Sequence, residues 1–218
     1  MALIPLGLDG LGPRPPLDAA ILDGPGPEIR GQTYLTAPPL GVSIVAWGAT
    51  PYAIHPKTRP DYEFSILLEG QFDLSNPMTG KVRVHAGDLF VLPPTFSYRW
   101  AQTESTLKFA LSYRPESPVE PMQDFTLIRR AELSERTGGE EELFRSHDRR
   151  LTVTCLRLPA GSSFVQEPGA IGLGTVLSGS CLAEEHRLEA GCSFALDPST
   201  RGLLQSKTDT ILVICQVR

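Results

Sequence analysis

The sequence predicts an all-β protein made of two tandem copies of one β unit, each a sandwich or barrel. Three observations carry this. The 218-residue chain holds 20 Gly and 20 Pro, frequent turn-formers between short apolar runs, and few long helical patterns. Residues 83–96, RVHAGDLFVLPPTF, recur at 187–200 as RLEAGCSFALDPST, sharing Arg, Ala-Gly, Phe, Leu and Pro-hydroxyl at a constant offset of 104. The same offset continues downstream, where TLKFALSYR ending at Arg114 aligns with TILVICQVR ending at Arg218.

Upstream the offset becomes 109, matching Ser65-Ile-Leu-Leu-Glu-Gly70 with Gly174-Thr-Val-Leu-Ser-Gly179. The change falls within QFDLSNPMTGKV, which carries an Asn-Pro and a Thr-Gly turn signal. A longer hairpin in the first copy absorbs it without disturbing the flanking strands.

Taken in order, residues 1–30 are rich in Pro and Gly and read as an extended arm packed on a barrel or a partner. The first barrel, 31–115, has apolar strand runs near 41–48, 62–69, 71–76, 81–85, 89–93 and 106–113. The connector, 116–149, contains RRAELSER, one or two helical turns, and RTGGEEE, a loop. The second barrel, 150–218, repeats the strands near 150–157, 172–178, 181–189, 193–196 and 210–217.

Charge excludes some functions. The formal net charge is −5 with no long run of one sign, so no basic face for nucleic acid is expected. Arg145, Arg149 and Arg150 are interleaved with Glu141, Glu142 and Asp148, as in a solvated connector. No run approaches the ~20 apolar residues that span a bilayer, so no membrane partner is expected. MALIPLGLDGLGPRPP lacks the basic region and clean apolar core of a secretory signal, and a cytoplasmic location is the default expectation. Cys155, Cys181, Cys192 and Cys215 lack CxxC spacing and read as buried free thiols.

Glu63, Gly70, the Gly87-Asp88 turn and Pro93-Pro94 resemble, in order and spacing, the two motifs of the cupin superfamily. The resemblance covers about 41–114 and, more faintly, 150–218. It implies two tandem double-stranded β-helix (jelly-roll) barrels, a bicupin, with the N-terminal arm outside them. Trp47-Gly48, DYEFSILLEG at 61–70, and FSYRW at 96–100 leading into Leu107-Lys108-Phe109 are similar to the ethanolamine-utilisation and ureidoglycine aminohydrolase-type cupins. Cupins commonly pair through sheet edges and arms, so the resemblance also implies a homodimer.

In metal-binding cupins three His and one Glu hold a divalent cation. Here Glu63 stands at the Glu position, and the three His positions fall on Lys57, Arg59 and Tyr98. Cationic side chains repel a divalent ion, and Arg offers no lone pair. No cofactor is therefore expected; were a divalent transition metal held, His55 and Glu63 would be its ligands. His85 reads as a turn residue, His147 and His186 as solvent-exposed, and Trp47 and Trp100 as core or barrel-mouth packing rather than a stacking platform. The second copy places Gly172 at Glu63, Gly202 at Tyr98 and Phe164 at His55, so it reads as a structural partner barrel.

Two functional readings stand, and whether the chain is an enzyme stays open between them. In the first, Lys57, Arg59, Tyr62, Glu63, Tyr98 and Trp100 line a metal-free site for a small carboxylate- or sugar-like ligand, the cationic pair taking its anionic group. In the second, the first barrel is a metal-dependent hydrolase, isomerase or dioxygenase-type cupin enzyme, with Glu63 as general base and Tyr98 as acid. An oligomeric scaffold with vestigial pockets is the third possibility.

Overall fold

The computed structural model describes residues 3–78, 80–120, 124–166, 168–199 and 201–218. Thr79 of the expected Thr-Gly turn, 121–123 of the expected connector and Thr200 of the repeated segment lie outside the described residues.

The chain begins with β1 (Leu3–Leu6), β2 (Gly12–Pro13), β3 (Ile29–Ala37), β4 (Val42–Ala49) and β5 (Tyr52–Ala53). Next come β6 (Tyr62–Glu69), β7 (Gln71–Asn76), β8 (Gly80–His85), β9 (Leu89–Leu92), β10 (Arg99–Gln102), β11 (Thr106–Tyr113) and β12 (Thr126–Ile128). After α1 (Arg130–Glu135) follow β13 (Glu140–Arg145), β14 (Leu151–Leu158), β15 (Ser163–Gln166) and β16 (Ile171–Ser178). The chain closes with β17 (Ser180–Ala183), β18 (His186–Glu189), β19 (Ser193–Leu196), β20 (Gly202–Ser206) and β21 (Thr210–Val217). No helix among the described residues is long and apolar enough to cross a membrane.

Two compact units result. The first holds Leu8–Thr33 and Val45–Arg129; the second holds the residues through Gly7, Tyr34–Ile44 and Arg130–Arg218. Each sheet system is antiparallel in its described pairings. One large sheet runs β12-β9-β6-β11-β4-β3-β2, accompanied by β5-β10-β7-β8. The other runs β1-β19-β16-β21-β14-β13, accompanied by β15-β20-β17-β18.

Residues related by the two sequence offsets hold equivalent places in these ladders. Glu63 pairs with Leu92 and Ser112, and Gly172 pairs with Leu196 and Gln216. Even the irregularities match: the ladder slips between Leu67 and Glu69, opposite Lys108 and Leu107, and, at the offset of 109, between Val176 and Ser178. The tight corners also coincide. Gly70 and Gly179 have φ of 76° and 78°. A Cβ there would lie 2.2 Å from the Ser105 or the Asp209 carbonyl oxygen, which only glycine avoids.

Alternation fills the interiors. In β7, Phe72 and Leu74 are buried, while Gln71, Asp73 and Ser75 are partly exposed. They join Ile54, Leu67, Phe90 and Trp100 in the first unit's apolar cluster. The second unit's cluster includes Val176, Phe194, Leu196 and Leu212. Cys155, Cys181 and Cys215 are buried free thiols as expected, and Cys192 is half-buried.

The strands expected at 62–69, 71–76, 106–113, 193–196 and 210–217 form at those bounds. Four readings need correction. RTGGEEE is not wholly a loop: Glu140–Glu142 opens β13, whose main chain pairs with β14. Its charged side chains suit an edge strand, which is why polarity concealed it. Residues 181–189 are a hairpin turning after Ala183 rather than one strand. Strands β3, β10, β15 and β20 form in segments not read as strands. The segment 1–30 is partly strand: β1 pairs along its length with β19, burying Leu3, and β2 pairs with β3.

Candidate functional site

Strand β6 sets the site. Successive side chains alternate between faces, so Glu63, Ser65 and Leu67 share the interior face while Tyr62, Phe64 and Ile66 take the other. Glu63 is 6% exposed and surrounded by donors. Its Oε2 accepts from Arg59 Nη1, and its Oε1 accepts from Lys108 Nζ and from Ser65 Oγ, the last at 2.9 Å. Arg59 Nη2 also donates to Asp61 Oδ2 at 2.6 Å. Lys108 comes from β11, where it pairs opposite Leu67; the small Ala110 and Ser65, paired next along the ladder, leave room for its chain to reach Glu63. The ammonium lies 5.1 Å from the Trp100 ring centroid and 5.6 Å from that of Phe90, a cation–π setting that offsets part of its burial. Trp100 itself is fixed, stacked on Phe72 with centroids 3.5 Å apart and donating from Nε1 to Gln102 Oε1 at 2.9 Å.

Lys57 enters from the rim. Its main chain exchanges two 3.0 Å hydrogen bonds with Tyr98, an isolated antiparallel bridge that puts both side chains on one face. Tyr98 belongs to the interior cluster, so Lys57 faces inward with it. Lys57 is half-buried, and no carboxylate among the described residues lies within ion-pairing distance of its ammonium.

Electrostatics follow from this layout. Burial alone would raise the Glu63 carboxyl, but the charges of Arg59 and Lys108, with hydrogen bonds from Lys108 and Ser65, outweigh it and hold the group well below the usual carboxylate range. Burial pushes the Tyr98 phenol up to about 12, with Glu63 adding to the rise and Arg59 opposing it. Partial burial likewise raises Tyr52, the neighbouring half-buried phenol. Burial, and then the Arg59 charge, lower the Lys57 amine.

Of the residues singled out in the sequence, Lys57, Arg59, Glu63, Tyr98 and Trp100 come together. Tyr62 does not: it lies on the opposite face of β6 and stacks on Tyr113, centroids 6.1 Å apart. His55 is exposed and follows the inward-facing Ile54, so alternation turns it away from Glu63. The pairing also corrects its counterpart. Ile54 hydrogen-bonds to the Trp100 carbonyl, and Phe164 pairs with Leu204 one offset on, so Phe164 matches Ile54 rather than His55. His85 is exposed at the end of β8, just before the Ala86-Gly87 turn, His147 is exposed, and His186 is half-buried. Lys108, Asp61, Ser65 and Tyr52 belong to the site but were not singled out. Lys108 had a signal: it is the one charged residue of β11, and Leu212 replaces it in the repeat.

The residues present do not fit a divalent metal. Both Glu63 oxygens already accept from cations, His55 faces away, and the described residues contain no group of three or more His, Cys, Asp or Glu able to hold an ion. In the second unit the equivalent volume is filled. A Cβ on Gly174 would lie 2.4 Å from Phe194 Cζ, and one on Gly172 would lie 3.1 Å from Leu196 Cδ1. The two glycines that replace Ser65 and Glu63 make room for apolar side chains.

No family model and no curated protein sequence matches the chain. Solved structures do. Protein Ylba from E. coli, described as DUF861, superposes with a TM-score of 0.67 at 12% identity, over 100% of this chain and 91% of that one. A cupin 2 conserved barrel domain protein from Leptotrichia buccalis gives 0.65 at 14% identity, covering 87% of this chain and 88% of that one. The bacterial pirin YhhW from Escherichia coli, solved in complex with nickel(II), gives 0.56 at 12% identity, over 99% of this chain and 98% of that one. The chain has the all-β cupin fold.

Proposed function

We propose that this chain is a duplicated cupin whose first barrel binds a small polar metabolite, carboxylate- or sugar-like, without a metal ion, while the second serves as its structural partner. The observation that carries the reading is Lys57. A half-buried, inward-facing ammonium with no carboxylate partner among the described residues is a site for a ligand's anionic group. Beside it, the Tyr98 phenol stays protonated and can donate, and Trp100 and Phe72 offer an apolar wall.

Glu63 serves in this reading to hold Arg59 and Lys108 in place. A carboxylate with so low a proton affinity is a weak general base, which counts against Glu63 as the base of an enzymatic step. The nickel of the pirin structure belongs to that protein; the ligand set of this chain gives no reason to transfer it.

The test is a thermal-shift screen of the full chain against sugar acids, hydroxy acids, neutral sugars and sugar phosphates. A ligand of the native state raises Tm in proportion to RT ln(1 + [L]/Kd). At least one class is expected to do so, and to lose its effect in Lys57→Met. A flat response to every class overturns the proposal.

A further inference from the structure

We infer that the first barrel selects ligands bearing a single negative charge, a monocarboxylate rather than a phosphate monoester or a neutral sugar, and that Lys57 is the residue that makes this selection. The inference rests on the small-ligand reading above and deepens it.

The cluster holds three cations, Lys57, Arg59 and Lys108, and two carboxylates, Asp61 and Glu63. The pairing is already specified. Arg59 bridges Asp61 and Glu63, and Lys108 closes on the other oxygen of Glu63. The side chains of these four paired residues are 19% exposed or less, so water screens them poorly. Lys57 is left over, and the site carries one uncompensated positive charge. The groups that act electrostatically on Lys57 are Arg59, Glu63, Lys108 and Asp61, all members of the same cluster.

One carboxylate on the ligand would bring the cluster to neutrality. A phosphate monoester, near two negative charges at neutral pH, would leave a negative charge uncompensated in poorly screened surroundings beside Asp61 and Glu63. A neutral sugar would leave the Lys57 ammonium unmatched. The cluster also holds one donor without an acceptor. Arg59 Nε is buried with no acceptor among the described residues, while both terminal nitrogens are committed to Asp61 and Glu63.

Isothermal titration of the full chain at pH 7 with D-gluconate, D-glucose and D-glucose 6-phosphate tests this. These probes share a carbon skeleton and differ in charge. Gluconate is expected to bind at least tenfold more tightly than either of the others. Lys57→Met should remove that tenfold preference, and Lys57→Arg, which keeps the charge, should restore it. Glucose or glucose 6-phosphate binding as tightly as gluconate overturns the inference but leaves the small-ligand site standing. So does an unchanged preference in Lys57→Met. Binding by none of the three, nor by lactate or pyruvate as smaller monoanions, overturns the small-ligand reading and this inference with it.

Discussion

Among the described residues Glu63 is the ion-pair partner of Lys108, and Glu63 is shared between Lys108 and Arg59. Removing one member of such a set strands a charge in the barrel, which typically costs about 3–5 kcal/mol, whereas removing a matched pair costs far less. Lys108→Leu is therefore expected to lower stability in urea unfolding by about 3 kcal/mol. Glu63→Gln combined with Lys108→Leu should recover more than half of that loss, a coupling that independent sites would not show. Part of this arrangement was legible in the sequence. The spacing back from Glu63 placed Lys57 and Arg59, and the spacing after Pro94 placed Tyr98. What spacing could not give is reach. Lys108 comes from the neighbouring strand β11, 45 residues away in sequence, and only the ladder register, with Ala110 and Ser65 beside its path, brings it to Glu63. His55 failed for the opposite reason: it is near Glu63 in sequence, yet one step of alternation turns it outward.

At the level of elements, the tight corners do as much as the strands. The chain leaves β6 through Gly70, whose positive φ and closeness to the Ser105 carbonyl exclude any Cβ. Gly70→Ala combines a left-handed backbone penalty with a backbone clash, and a loss above about 2 kcal/mol is expected in chemical unfolding. At Gly80, φ is also positive but nothing lies within 4 Å of a Cβ, so Gly80→Ala should cost only the conformational part, about 1 kcal/mol. If the two variants lose equal stability, the carbonyl contact is not what excludes a side chain at Gly70. Strands inside the sheets were legible because both faces are apolar, as in LFVL of β9 and SFAL of β19. Edge and rim strands were not. Strand β13 reads EEELFR and gains its place from main-chain pairing with β14, a contribution that composition does not reveal.

For the whole molecule, acid is the discriminating stress. A carboxyl with a folded pKa below its unfolded value binds fewer protons when folded. Glu63 is such a group, so its contribution is present above roughly pH 4, the unfolded value, and is lost as pH falls toward the folded one. Asp73, held to about 2 by Arg83 and Lys81, acts in the same sense but more weakly because it faces solvent. Melting temperature is expected to fall steeply from about pH 4 down toward pH 2, and Glu63→Gln should flatten that fall; a parallel decline in the variant would remove Glu63 from the account. The repeat foretold the matching ladders of the two large sheets, but not how their edges are completed. The outer strand beside β9 is β12, which follows the first barrel in sequence, and the outer strand beside β19 is β1, which precedes it. Leu3 and its partner Leu196 are 193 residues apart. During synthesis β1 therefore leaves the ribosome long before β19 exists and must wait, unpaired, until β19 emerges. That makes closure of this sheet edge a late, non-local event, slow in refolding and open in the interval to strands from other nascent chains.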